Sequence, residues 1–348
     1  MARKLPVWFS LVLLFAVQVA AQSNRQFTFY YGFTVKGVPA GQEVRIWFPQ
    51  AQSDLYQEVR VLSAKGDLPL KRTRESRFGN QIYYADASKA SGRDLHFQIV
   101  YEIIRHEHLT LGVPHPRLQD ASLSKKESQE YLAPDTLVPI TGLPAQLAVQ
   151  VTSDKKTTLE KARAIYEYVF ANMRYEKTGT GWGRGDALYA CDAKKGNCTD
   201  FHSLFIAMAR SQRIPARFEI GFPLPGDRDS GEIPGYHCWA EFFDAQAGWI
   251  PVDISEAWKH PEKKDYFFGA HDANRVQFSV GRDLRLNPPQ HGNPRNYFVY
   301  PYVEVGGQEY LNVSNSFSFA ANGASQARLW KKFNGMLLYG KDLPSTAD

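Results

Sequence analysis

From Gln26 to about His108, polar and apolar positions alternate with a period of two, and the clearest run sets Phe27, Phe29, Tyr31 and Phe33 on one side of a strand. Similar runs recur at residues 43–48, 58–62, 82–84 and 96–101, separated by polar and glycine-containing turns. Short alternating strands at this spacing predict an all-β sandwich over residues 22–108. Its aromatics fall at strand spacing, which marks them as core rather than as a carbohydrate-binding platform. Residues 109–154 carry Pro114, Pro116, Pro134, Pro139 and Pro144, and read as a connecting segment with one short helix.

The period then changes to 3.6. Leu159, Ala162, Ile165, Tyr166, Val169 and Met173 lie on one helical face behind Thr157 and Thr158 as candidate caps, with an end near Tyr175. A loop with Gly179, Gly181, Gly183 and Gly185 surrounds Trp182. No strand precedes it and no Lys-Ser/Thr closes it, so it reads as a flexible loop beside a site and not as a phosphate cradle. A second helix runs from Cys198 to Arg210, capped by Asn197 with Asp200 three residues on. A strand over 213–222, a hairpin over 235–253 and a further hairpin flanking Gly306-Gly307 complete the pattern.

Composition bounds this picture. The 348 residues are 43% hydrophobic and 22% charged, enough for a sizeable core in two domains. Lys and Arg exceed Asp and Glu by 41 to 36, an excess too small and too scattered for a nucleic-acid partner. Arg3 and Lys4 precede an apolar run from Leu5 that closes on Val19-Ala20-Ala21. That layout predicts a signal peptide over residues 1–21, a mature chain beginning at Gln22, a secreted or periplasmic location and no membrane span after cleavage.

The chemistry rests on few residues. Cys198 opens the second helix, where unpaired N–H groups and the macrodipole favour a thiolate, so it is the candidate nucleophile. A symmetric hairpin with its turn at Asp244-Ala245-Gln246 pairs His237 with Asp253 and Trp239 with Pro251. His237, Trp239 and Asp253 then share one face, and Cys238 points to the other. Nucleophile, base and orienting acid occur in the chain order Cys, His, Asp, a set suited to acyl transfer through a thioester. His202 lies one turn after Cys198, but no Cys-x-x-Cys pair is present and Cys238 is directed away from His237; no metal and no cofactor are expected. Three cysteines in an oxidising compartment predict a Cys191–Cys238 disulfide that leaves Cys198 free.

The blocks Gly196-Asn197-Cys198-Thr199-Asp200, Arg213-Ile214-Pro215-Ala216-Arg217, Gly235-Tyr236-His237-Cys238-Trp239-Ala240-Glu241 and Trp249-Ile250-Pro251-Val252-Asp253 together resemble the transglutaminase-like superfamily. The resemblance implies an α+β fold: a papain-like core over residues 155–285, in which the helix bearing Cys198 packs on an antiparallel sheet. The β-sandwich precedes it, and a C-terminal hairpin and tail over 286–348 follow. It implies Cys198 as nucleophile, His237 as general base and then acid, and Asp253 as the group that orients the imidazole. The Cys198 N–H is one candidate oxyanion donor, Trp182 and Tyr175 are candidates for a second, and Trp239 is a candidate to line the site. The implied activity is transfer of an acyl group from a glutamine or peptide amide of a protein or peptide substrate to an amine. The alternatives are a cysteine peptidase or amidase, with water as acceptor, and a non-catalytic binding module, which the complete Cys-His-Asp set argues against.

Overall fold

The computed structural model describes residues 23–111 and 122–321. The expected signal peptide therefore lies outside the described residues, as does the tail beyond 321. The chain runs through β1 (Asn24–Val35), β2 (Val44–Pro49), β3 (Gln57–Gly66), β4 (Lys71–Arg74), β5 (Gln81–Ala87), β6 (Leu95–His106) and β7 (His108–Leu109). Next come α1 (Lys125–Leu132), α2 (Leu143–Thr152), α3 (Thr158–Asn172), β8 (Arg174–Tyr175), α4 (Ala187–Ala193), β9 (Lys195–Gly196) and α5 (Cys198–Ser211). After them lie β10 (Ala216–Pro223), β11 (Ser230–Glu232), β12 (His237–Asp244), β13 (Gly248–Val252), α6 (Ile254–Lys259), β14 (Ala270–His271) and β15 (Arg275–Val280). The last strands are β16 (Tyr302–Val305), β17 (Gln308–Glu309) and β18 (Val313–Ala320).

Period-two alternation does in β1 what its chemistry requires. Phe27, Phe29, Tyr31 and Phe33 are buried; Tyr31 and Phe33 meet Phe48 of the facing sheet, and Phe33 stacks on Phe97 of β6 at 4.9 Å between ring centroids. The sandwich has two five-stranded sheets, ordered β11-β18-β1-β6-β3 and β17-β16-β2-β5-β4. Both sheets draw strands from the end of the chain. β16 and β17 do form a hairpin around Gly306-Gly307, but β16 adds to β2 and β18 crosses to pair with β1. The reason is apolar: Phe317 and Phe319 alternate inward, and the Phe317 ring lies 4.9 Å from Tyr31.

The connecting segment holds two helices where one was expected. Ser124 and Glu127 close a capping box ahead of α1, and Pro144 sits in the first turn of α2, where its missing N–H costs nothing. Thr157 and Glu160 form the same box ahead of α3.

The second layer is an antiparallel sheet ordered β13-β12-β10-β15, with α5 against β10 and β12 and with α2, α3 and α4 around α5. Residues 198–210 are all buried, so α5 carries Asp200, His202, Ser203 and Arg210 inside the protein and each must find a partner there. The two layers share one core, since Phe29 of the sandwich meets Phe222 and Phe278 of the second sheet at 5.3 and 5.5 Å. No helix among the described residues is long and apolar enough to cross a membrane.

The hairpin register differs from the expected one by two residues. β12 and β13 pair Ala240 with Val252 and Asp244 with Gly248, so the turn is Ala245-Gln246-Ala247. Asp244 decides this: its Oδ1 accepts the N–H groups of Gln246 and Ala247, and Gly248 takes the positive φ of 76° that closes the turn. A shift of two preserves facing, so His237, Trp239 and Asp253 keep a common side, but pairing ends at Val252 and Asp253 leaves the strand to cap α6.

Candidate active site

The start of α5 is built by reciprocal capping. Asn197 Oδ1 accepts from Thr199 N at 3.0 Å, and the Asp200 carboxylate accepts from Asn197 N at 2.9 Å. Asp200 also accepts the N–H groups of Gly183 at 2.7 Å and Gly185 at 3.0 Å, which ties the glycine loop to the helix carrying Cys198. From the other side Arg282 donates to the carbonyls of Gly185 and Arg184. The loop expected to be flexible is therefore held at both edges. Gly196 is obligatory here: its φ is +155°, and a Cβ would lie 2.2 Å from Asp200 Oδ2.

Cys198 is 2% exposed and His237 is 4% exposed. Cys238 and His237 are the side chains that bear most directly on the Cys198 thiol. His237 Nε2 lies 2.7 Å from Asp253 Oδ2, which leaves Nδ1 for the thiol. Asp253, fully buried, is saturated with donors. Its Oδ1 accepts from Ser255 Oγ and Glu256 N, each at 3.1 Å, while Oδ2 also takes Arg275 Nη1 at 2.9 Å. Arg275 lies over the face of Trp239, 4.9 Å from the ring, and Trp239 donates its indole N–H to Glu219 at 2.8 Å.

These contacts move protons. Burial is the strongest influence on Cys198 and pushes its thiol up, yet the bonds from Cys238 and His237 and the charges of His237 and His202 together hold it well below the ordinary thiol range. Burial likewise opposes charge on His237, but Asp253 and Cys198 raise it to about 10. For Asp253, burial is outweighed by His237, Arg275 and His202, and the carboxyl stays well below its usual value. All three shifts favour a charged imidazole between a charged thiol and a charged carboxyl. His202 behaves differently: burial pushes it down to about 4, its Nε2 accepts Ile254 N–H at 3.1 Å, and its Nδ1 faces Cys238 Sγ at 3.8 Å.

The remaining expected positions divide. Tyr175 lines a cleft of about 1180 Å³ that also reaches His237, and Lys259 Nζ lies 4.2 Å from its ring. Burial and the neighbouring Cys198 push its hydroxyl far up, so it remains a donor. Trp182 turns its indole N–H back to Gly179 O at 3.1 Å, so that donor is spent inside its own loop. Trp239 is fully buried and braces Arg275 from beneath instead of lining the cleft.

The expected Cys191–Cys238 disulfide is not formed, and all three thiols are free. The face of β12 that carries Cys238 packs on α5, which brings its sulfur to Cys198 and His202, whereas Cys191 sits in α4 near Tyr168. Cys238 therefore adjoins the site, contrary to the expectation that it faces away. Sequence reasoning missed Arg275, Ser255, Tyr236 and Arg282. Of these only Tyr236 carried a local signal, adjoining His237, and its Oη accepts from Asn197 Nδ2 at 3.0 Å. Among the described residues no group of three or more His, Cys, Asp or Glu is arranged to hold a metal ion.

Comparison with known proteins agrees with this architecture. A family model described as the transglutaminase-like superfamily matches residues 145–254. An uncharacterized protein of Haemophilus influenzae is 29% identical over 317 residues, covering 81% of this chain and 86% of that protein. The uncharacterized protein YebA of Bacillus subtilis is 25% identical over 155 residues, covering 39% of this chain and 21% of YebA. A solved structure from Cytophaga hutchinsonii, described as that of a candidate cysteine protease, superposes with a TM-score of 0.57 at 16% identity and covers 87% of this chain and 92% of its own, a likeness of fold.

Proposed function

For a chain that belongs to the transglutaminase-like superfamily, we propose thiol-dependent acyl transfer, in which Cys198 attacks a glutamine or peptide carboxamide of a protein substrate and forms a thioester. The observation that carries this reading is the His237 ring held between the Cys198 thiol and the Asp253 carboxylate, with Asp253 only 2.7 Å from Nε2. The Cys198 thiolate adds to the carbonyl carbon, and the imidazolium of His237 gives its proton to the leaving nitrogen as the C–N bond breaks. The same ring, now neutral, takes a proton from the incoming amine, whose nitrogen bonds to the acyl carbon as the C–S bond breaks and the Cys198 thiolate leaves. Asp253 keeps the tautomer and orientation of the ring throughout and does not take its proton. The Cys198 N–H at the start of α5 and the Tyr175 hydroxyl are the donors assigned to the tetrahedral oxygen. Trp182 is set aside because its N–H is already occupied.

Hydrolysis is the second reading. Lys177, Glu256 and Lys259 make the rim of the cleft polar, and a wetted rim admits water as acceptor, as in a peptidase or amidase. The signal peptide expected from the sequence supports a secreted or periplasmic setting for either reaction. The test is incubation with casein and a biotinylated alkylamine, followed by mass spectrometry. Amine incorporated at glutamine supports transfer, and deamidation or cleavage supports hydrolysis. Products that form equally well with Cys198→Ala count against both.

A further inference from the structure

Resting on the thioester reading, we infer that the outer face of the β18-β1-β6 part of the sandwich is a substrate subsite, which receives the extended, uncharged polypeptide flanking the reacting carboxamide. The cleft that begins at His237 and Tyr236 continues without a break to Gly32, Thr34, Gln98 and Ser316 on this sheet. The strand register makes these residues one surface. Thr34 lies opposite Ser314 on one side and His96 on the other, and Gly32 lies opposite Ser316 and Gln98. The intervening residues Phe33, Phe97 and Phe317 turn inward and are buried, so the sheet presents a polar shelf backed by a rigid aromatic core.

Its chemistry selects an occupant. Three neighbouring strands make a floor about 10 Å across, the width of one extended chain with its side chains. Hydroxyl and amide groups on that floor both donate and accept hydrogen bonds, which matches main-chain N–H and C=O groups and offers nothing to a strongly charged ligand. Charge gathers at the catalytic end of the cleft, where Lys259 pairs with Glu256 and Lys177 lies by the Tyr175 ring, while His96 on the shelf pairs with Asp67. Gly32 keeps the floor low at its centre, since a Cβ there would already touch Ser316 O at 3.4 Å. A substrate too short to leave the catalytic end reacts without meeting this surface. The sandwich thus contributes to specificity for long chains and not to the chemical step.

The experiment places a bulky side chain on the shelf, with Thr34→Trp and Ser316→Trp made separately and their melting temperatures checked. Turnover of casein and of a blocked glutaminyl dipeptide is compared. The expected result is a KM for casein raised roughly tenfold with kcat retained, and dipeptide kinetics within about twofold. In a Cys198→Ala background, labelled casein fragments should bind roughly tenfold more weakly when either tryptophan is added. Unchanged casein affinity overturns the inference whether or not turnover is seen, as does an equal effect on casein and dipeptide. A Cys198 that fails to react with iodoacetamide in the unsubstituted protein counts against the thioester reading instead, which keeps the two failures distinct.

Discussion

Two clusters of buried charge occupy opposite ends of one face of β12, with Trp239 between them. At the His237 end lie Cys198, Asp253 and Arg275; at the Glu241 end lie Arg217, Glu219 and His108. Both clusters shift proton affinities strongly. In the second, Arg217 spans Glu241 at 2.6 Å and Glu219 at 3.0 Å. Burial opposes ionisation of Glu241, but Arg217 and His108 bring it to about 2; burial and the neighbouring Glu241 push Glu219 to about 8, and burial pushes His108 down. That direction favours the protonated form of the surplus carboxylate, and the cluster is an ion-paired knot in which only His108 Nε2 lacks a hydrogen-bond partner. In the first cluster the shifts run the opposite way, toward charge on both Cys198 and His237, because a helix N-terminus and a carboxylate both favour charge there. A shifted pKa therefore does not by itself mark chemistry. What separates the two ends is a thiol beside the shifted imidazole and a cleft that reaches it.

The comparison breaks most sharply at Cys198. Cys198→Ala should reduce turnover of any carboxamide substrate to background, because burial and Cys198 hold Cys238, the other thiol at the site, well above the ordinary thiol range, whereas Cys191→Ala should leave turnover intact. Asp253→Asn should keep the fold but lose about 10⁴-fold in kcat, by analogy with the equivalent change in a serine triad. A near-normal rate would show that Asp253 does no more than cap α6.

Arg275→Met removes one donor from Asp253 and should slow turnover roughly 10- to 100-fold, the scale of losing a partner that orients a reacting group. Asp253 then protonates more readily, so the acid limb of the kcat profile should move to higher pH. Arg275→Lys should bring that limb back toward its original position. A slower enzyme with an unmoved limb would assign Arg275 to packing alone.

Iodoacetamide labelling of the native protein at pH 6 sharpens the contrast among thiols. Cys198, held below the ordinary thiol range, should label well ahead of Cys191, which burial and Asp192 raise to about 11. Equal rates would remove the thiolate from the resting site.

The smallest effect belongs to the structural cluster. Glu219 binds its proton more tightly folded than unfolded, so its contribution to stability is lost as pH rises from the ordinary carboxylate range through about 8. Glu219→Gln keeps an acceptor for the Trp239 N–H and removes that dependence. Turnover should be unchanged, and the melting temperature relative to the parent should be higher at pH 9 than at pH 4. A large loss of turnover would show that the two clusters act as one.

What the sequence determined by itself is local in origin. The inward aromatic face of β1, the capping of α3 and α5, the position of Cys198 in a first helical turn and the common side of His237 and Asp253 all depend on spacings of a few residues, where propensity and alternation act directly. Even the two-residue error in the hairpin left that common side intact, because facing has a period of two. Tertiary structure decided the rest. Arg275 reaches Asp253 from 22 residues further along the chain, and Arg282 reaches the loop at Gly185 from 97 residues away. Cys238 faces Cys198 because of which side of β12 packs on α5, and β18 joins β1 because Phe317 and Phe319 complete a core begun almost three hundred residues earlier. Such partners are set by which surfaces exclude water together, and no short window of sequence contains both sides of that contact.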